Sequence, residues 1–248
     1  MRVHVVTAHN RQIYSDEIEA MHRHRHDLFV DQMGWRALES PDGLDIDEFD
    51  NEHATYLIAI DSRDRVVGSG RLMPSWRPHM LKNLFPEYSA GPVPVGPDIW
   101  EWTRHAGGGR GFTRHENLQI QYALNLAVLE FAASRGIEAY TGILETRILA
   151  FAGELGWRSQ PLGLPRNYGE GTAVALFNPI WPGQLAHLRR LARRQEPILI
   201  EMPAWASRDY GRLARRTIEL AMTLSTPNLA RAIGSLESIA AEPGASAP

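Results

Sequence analysis

The first half of the chain holds polar residues whose types and spacings suit an acid–base site. Arg25 lies four residues before Phe29 in a stretch of helical spacing, so the two can share a face. Gly34 and Trp35 follow. Asp47 and Asp50 sit three apart in an acidic segment that also carries Asp45 and Glu48, and Arg71 follows Gly68-Ser69-Gly70 in an apolar run. Glu101 and Arg104, again three apart, complete the set. A strand of period two would put these last two on opposite faces, so a bulge or twist is expected between them. Buried carboxylates need partners, and Arg25, Arg71 and Arg104 can supply them. Taken singly, each residue has a plainer reading. Asp47 and Asp50 suit a turn that caps local backbone. Arg71 and Glu101 suit an ordinary cross-strand ion pair. Phe29 and Trp35 suit core filling. The ordered coincidence of all of them favours a shared site.

The elements that must position these residues follow from hydrophobic period. Residues 3–7 read as a strand. Residues 16–33 have helical spacing, with Ser15 as N-cap and Gly34 as stop. Residues 36–54 are an ordered acidic loop. Strands are expected over 54–60 and 65–73, joined by the turn Asp61-Ser62-Arg63-Asp64. Six prolines break up 74–97, where only a short helix near 81–85 is expected. A strand over 99–105 leads into Gly107-Gly108-Gly109-Arg110-Gly111 and an amphipathic helix over 118–135, stopped by Gly136. A strand over 137–144, a helix over 145–155 and strands over 158–162 and 172–178 complete this unit. The order predicts an α/β (α+β) mixed sheet flanked by helices. Helices are then expected over 183–195, 207–224 and 227–241.

Composition excludes several classes. The 248 residues are 44% hydrophobic and 22% charged, with a net charge of −3, so no basic footprint for nucleic acid and no polybasic membrane patch is present. There is no cysteine, hence no disulfide, thiolate metal site or cysteine nucleophile. No signal-peptide h-region and no membrane span is read, so the expected location is cytoplasmic. His22 and His26 have chelating spacing, but a third ligand is lacking; a solvated helix face and no metal are expected.

The ordered pattern Arg25-x-x-x-Phe29, Gly34-Trp35, Asp47-x-x-Asp50, Gly68-x-x-Arg71-Leu72-x-Pro74, Phe85 and Glu101-x-x-Arg104 resembles the signature of the acyl-homoserine-lactone synthases, the LuxI-type autoinducer synthases. The similarity continues through Gly156-Trp157 and Leu162-Gly163-x-Pro165, covering residues 20–178. The resemblance implies a GNAT-like synthase domain over 1–182 and a helical C-terminal extension over 183–248. It implies transfer of an acyl group from acyl carrier protein or coenzyme A to the amine of S-adenosylmethionine, then lactone closure with release of methylthioadenosine, giving a quorum-sensing signal without any cofactor. The sulfonium and ammonium of that substrate suit a carboxylate-lined pocket.

By resemblance, Arg25, Phe29, Trp35, Asp47, Asp50 and Phe85 bind S-adenosylmethionine. Glu101 is the general base, acting through a water, with Arg104, Asp47 and Arg71 beside it. Arg104, Thr141, Ile143 and Leu149 are expected to meet the acyl or pantetheine group, with Leu126 and Phe151 as further candidates for the acyl tunnel. The glycine-rich loop departs from the family pattern. It reads as a flexible surface loop, and alternatively as a phosphate cradle for a coenzyme A donor. The arginine-rich C-terminal helices suit an acidic carrier protein or an oligomer contact. Two rival readings remain: an N-acyltransferase acting on another amine, and a non-catalytic relative.

Overall fold

Apolar runs of period two build one mixed sheet. Its strands are β1 (Arg2–Val6), β2 (Thr55–Ile60), β3 (Val66–Pro74), β4 (Ile99–Gly107), β5 (Ala139–Glu145), β6 (Gln160–Pro161), β7 (Arg166–Asn167), β8 (Thr172–Pro179) and β9 (Leu199–Glu201). Their order is β6-β8-β5-β4-β3-β2-β1-β9, with β7 also paired to β8. β1 to β4 run antiparallel in succession; β4–β5 and β1–β9 are parallel. The computed structural model describes residues 1–202, so the helices expected over 207–224 and 227–241 lie outside the described residues.

Alternation along β2 explains the layers. Leu57 and Ala59 enter the core beneath α3 (Arg114–Arg135), with Val3, Val5, Leu124, Val128 and Phe131. Tyr56 and Ile58 point the other way, into a second core with Tyr14, Met21, Phe49 and Met73 beneath α1 (Ser15–His26). Both faces are thus covered and β2 is buried throughout. This is the mixed α/β sheet flanked by helices that the sequence predicts.

Local departures have local causes. Ser15 is the first residue of α1, not its cap; a 3₁₀ turn over Arg11–Tyr14 leads straight into the helix. After His26 the helix widens into a π turn over Asp27–Gln32, where Met33 N–H reaches back five residues to the Leu28 carbonyl at 3.0 Å, and Gly34 at φ +78 ends it. α3 begins four residues earlier than its apolar stripe, because Thr113 and Glu116 form a reciprocal capping box. The region expected as a helix from 145 starts instead with the last residue of β5, followed by a 3₁₀ turn and the short α4 (Leu149–Glu154), while α2 (Met80–Asn83) is one turn. β6 is shorter than the expected 158–162, and β7 and β9 carry no signal of their own. Past residue 183, α5 (Gln184–Leu191) packs on α3 and β9 joins β1.

Two features of β4 shape the site. Arg71 pairs with Thr103 and Ser69 with Ala106, which leaves Gly70 opposite both Arg104 and His105. This is the bulge expected from the Glu101–Arg104 spacing, with Arg104 in the left-handed region at φ 51. The parallel register with β5 runs Ile99↔Ala139, Trp100↔Tyr140 and Glu101↔Thr141 and then stops, although both strands continue. A Cβ on Gly142 would lie 2.6 Å from the Trp102 carbonyl oxygen, so only glycine fits where the strands part.

Candidate active site

Three arginines and three aspartates meet beneath α1. Arg25, from the last turn of α1, is fully buried and forks onto Asp50, with Nη1–Oδ1 at 2.9 Å and Nη2–Oδ2 at 3.0 Å, while its Nε donates to Asp45 Oδ2 at 2.8 Å. Arg71, from β3, forks onto Asp47 at 2.5 and 3.0 Å, reaches Asp50 Oδ1 at 3.1 Å, and donates to Thr103 Oγ1 at 3.2 Å. The bulge turns Arg104 onto the same face. Its Nη2 lies 2.8 Å from Asp47 Oδ2. Its Nε is 2.9 Å from Asp45 Oδ2 but off the hydrogen-bonding direction, so that contact is a charge pair. Tyr56 Oη and the Asp47 amide also donate to Asp50. The cluster is charge-balanced, as burial of six ionised groups requires.

The electrostatics follow from this arrangement. Burial alone would raise the Asp50 carboxyl, but the charge and hydrogen bonds of Arg25, the charge of Arg71 and the Asp47 amide hold it well below the usual carboxylate range. Burial works against Arg25 and Arg71 too, yet Asp50 and its neighbouring aspartates lift both above their ordinary values. For Arg104 burial wins over Asp45 and Asp47 and lowers it. Asp47 is the aspartate that meets solvent, with its side chain 19% exposed against 2% for Asp45 and 1% for Asp50.

Beside the cluster, Phe29 stacks on Trp35 at 5.0 Å and 9°, Tyr168 meets Trp35 edge-on, and the Arg104 guanidinium lies 6.0 Å from the Phe29 ring centre. Glu101 shares its face of β4 with Thr103. Its buried carboxylate accepts from the Leu81 amide at 2.6 Å and the Met80 amide at 3.0 Å in the first turn of α2, and faces His79 Nδ1 at 3.2 Å. It is not the partner of Arg71, since it pairs across the sheet with Met73. Thr141, next to Glu101 in register, is fully buried with its Oγ1 unpartnered among the described residues.

The structure therefore gathers Arg25, Phe29, Trp35, Asp47, Asp50, Arg71, Glu101 and Arg104 around one face of β3 and β4. Phe85 and Ile143 belong to an adjoining apolar group with Leu81, Tyr88 and Tyr168. Leu149 opens α4, apart from these contacts. Leu126 is buried in the α3 core, with Phe151 packed against that core. Asp45, Tyr56, Thr103 and His79 are the neighbours the sequence reading leaves out.

Two expectations need correction. The histidine-rich face of α1 is not wholly solvated: His22 is buried with Nδ1 2.7 Å from the Asp45 carbonyl, and burial together with Arg25 lowers its pKa. The glycine-rich loop is braced rather than loose. Gly108, Gly109 and Arg110 donate their amides to the Val67 carbonyl, Asn117 Oδ1 and Gln32 Oε1 at 2.8–2.9 Å, so these amides are already spent within the protein.

The sequence profile of the autoinducer synthases matches residues 9–184. The chain belongs to the autoinducer synthase family. It is 39% identical over 164 residues to the isovaleryl-homoserine lactone synthase of Bradyrhizobium diazoefficiens, covering 66% of this chain and 73% of that one. To an acyl-homoserine-lactone synthase of Pseudomonas chlororaphis it is 36% identical over 141 residues, covering 56% and 68%. The fold superposes on a CoA-dependent acyl-homoserine lactone synthase, BjaI, solved with SAM and isopentyl-CoA. The TM-score is 0.74 at 34% identity, covering 82% of this chain and 93% of that one. A second CoA-dependent synthase, MesI, gives 0.70 at 33% identity, covering 80% and 98%. This autoinducer synthase is thus an acyltransferase of the acyl-homoserine-lactone synthase class. No helix of its described residues is long and apolar enough to cross a membrane.

Proposed function

We propose that this synthase transfers an acyl group from a coenzyme A thioester to the amine of S-adenosylmethionine and closes the product to a lactone. The observation that carries the reading is the charge-balanced arginine–aspartate cluster, with Glu101 on the same face where β4 and β5 part. Arg25, Phe29, Trp35, Asp47, Asp50 and Phe85 hold S-adenosylmethionine, with the partly exposed Asp47 nearest its cationic groups. Glu101, through a water, takes the ammonium proton, and the freed amine attacks the thioester carbonyl. The C–N bond forms, the C–S bond breaks, and the thiol leaves with a proton. The methionyl carboxylate then attacks its own γ-carbon, and the C–S bond to the sulfonium breaks to release neutral methylthioadenosine. Ring closure is intramolecular, so the protein mainly holds the conformer. The acyl and pantetheine groups enter the gap beside Arg104, Thr141 and Ile143.

Coenzyme A as donor is supported by the CoA dependence of BjaI and MesI, two solved relatives at 34% and 33% identity. It does not rest on the glycine-rich loop. The test is incubation with S-adenosylmethionine and either acyl-CoA or acyl carrier protein, following methylthioadenosine. Release from acyl-CoA is expected; release only from the carrier protein overturns the donor, and none from either overturns the reaction.

A further inference from the structure

We infer that His79 is a positioning residue that leaves Glu101 a single open lone pair, on Oε2. The inference rests on Glu101 being the base. A carboxylate has about four lone-pair sites on its two oxygens. Oε1 accepts from the Leu81 amide at 2.6 Å and faces His79 Nδ1 at 3.2 Å, so both of its sites are filled. Among the described residues Oε2 accepts only from the Met80 amide, at 3.0 Å. One site on one oxygen remains to take a proton.

His79 is placed for this task by its backbone. It follows Pro78 and is extended, with φ −148 and ψ 162, at the residue before α2. That position favours a short side chain capping the helix's own amides. His79 caps none of them; Glu101, from the sheet, accepts the Met80 and Leu81 amides instead, and the imidazole turns to Glu101. Its amide is anchored on Asn83 Oδ1 at 3.0 Å. Both side chains are buried. With the proton on Nε2 alone, two lone pairs would face each other at 3.2 Å, so the pairing calls for an N–H on Nδ1. Nε2 meets no partner among the described residues. Without the Nδ1 donor, Oε1 regains a free site. The terminal carboxylate torsion is broad, so the basic lone pair would then be shared between two directions.

The test compares His79→Asn with His79→Gln. An asparagine amide nitrogen sits near the place of Nδ1, whereas a glutamine places its nitrogen near Nε2. Steady-state rates are measured with S-adenosylmethionine and an acyl thioester, alongside Glu101→Gln. His79→Gln is expected to lower kcat on the order of 10-fold, with KM for S-adenosylmethionine unchanged. His79→Asn is expected to recover most of that loss, which a merely structural role would not predict. Wild-type kcat in His79→Gln, or an equal loss in both variants when circular dichroism shows both folded, overturns the proposal. If the glutamine variant does not fold, His79→Asn decides alone: a folded protein slowed on the order of 10-fold overturns it. Wild-type kcat in Glu101→Gln removes the base itself. An inactive Glu101→Gln with a fully active His79→Gln removes only the positioning role.

Discussion

Replacing Asp50 by asparagine tests whether the buried cluster is held together by charge. Four donors converge on its two oxygens, Arg25 Nη1 and Nη2 at 2.9 and 3.0 Å, Tyr56 Oη at 3.0 Å and the Asp47 amide at 3.0 Å, and Arg71 Nη1 lies 3.1 Å away as a charge partner. Asparagine keeps one oxygen but puts an NH₂ group, itself a donor, among those donors. It also leaves three guanidinium groups against two carboxylates. Breaking a buried ion pair by removing one partner costs about 3–5 kcal/mol, and the retained oxygen places this variant near 3. For a protein of this size that is roughly a 6–12 °C fall in Tm. Urea unfolding followed by tryptophan fluorescence measures it, with Glu19→Gln as the comparison, because the Glu19–Arg23 pair is largely exposed and its loss should be imperceptible. The acid limb should change as well. The depressed Asp50 carboxyl contributes stability that is complete above the unfolded value of about 3.9 and is lost as pH falls below it, so the variant should lose less on acidification. A loss under about 1 kcal/mol with an unaltered acid limb would refute the argument.

Three further outcomes are expected. Burial holds the imidazoles of His22, His24 and His105 below their ordinary 6.5, so the unfolded chain binds their protons first; Tm should be steady above that pH and fall as pH drops from 6.5 toward 5, and a flat profile would contradict the assignment. Gly142→Ala should destabilise by about 1–3 kcal/mol in chemical unfolding, because its new methyl meets the Trp102 carbonyl rather than a yielding side chain. Thr113→Ala removes the α3 capping box far from Glu101 and should lower stability by about 1 kcal/mol while kcat stays unchanged, measured by thermal melts and initial rates.

Legibility in the sequence followed the range of the interactions. Period and capping are local, so β2, β3 and the body of α3 could be read from their apolar spacing, and even the bulge was implied by Glu101 and Arg104 standing an odd number apart. Partners joined only by the fold were harder. Asp45 lies in a loop without period, and its importance appears when Arg25 and Arg104 both close on Oδ2. His79 looked like one residue in a proline-broken stretch until α2 was laid against β4. β9 is a strand only because β1 offers an unpaired edge, since Leu199–Glu201 is too short to announce itself. The glycine run gave a true turn signal, but its Asn117 and Gln32 braces come from α3 and the π turn, which glycine content does not foretell.

The doubled pair opposite Gly70 also fixes how this chain can change in length. Losing His105 would restore plain alternation from Glu101 to Ala106, which keeps its place opposite Ser69, and would turn Arg104 to the face of Gly70, toward α3 and away from Asp45 and Asp47. The turn at Asp61–Asp64 has no such parity to keep, because its residues answer to no face. Gaps among homologues are therefore expected in that turn, while the residue count between Glu101 and Ala106 stays constant even where the side chains differ.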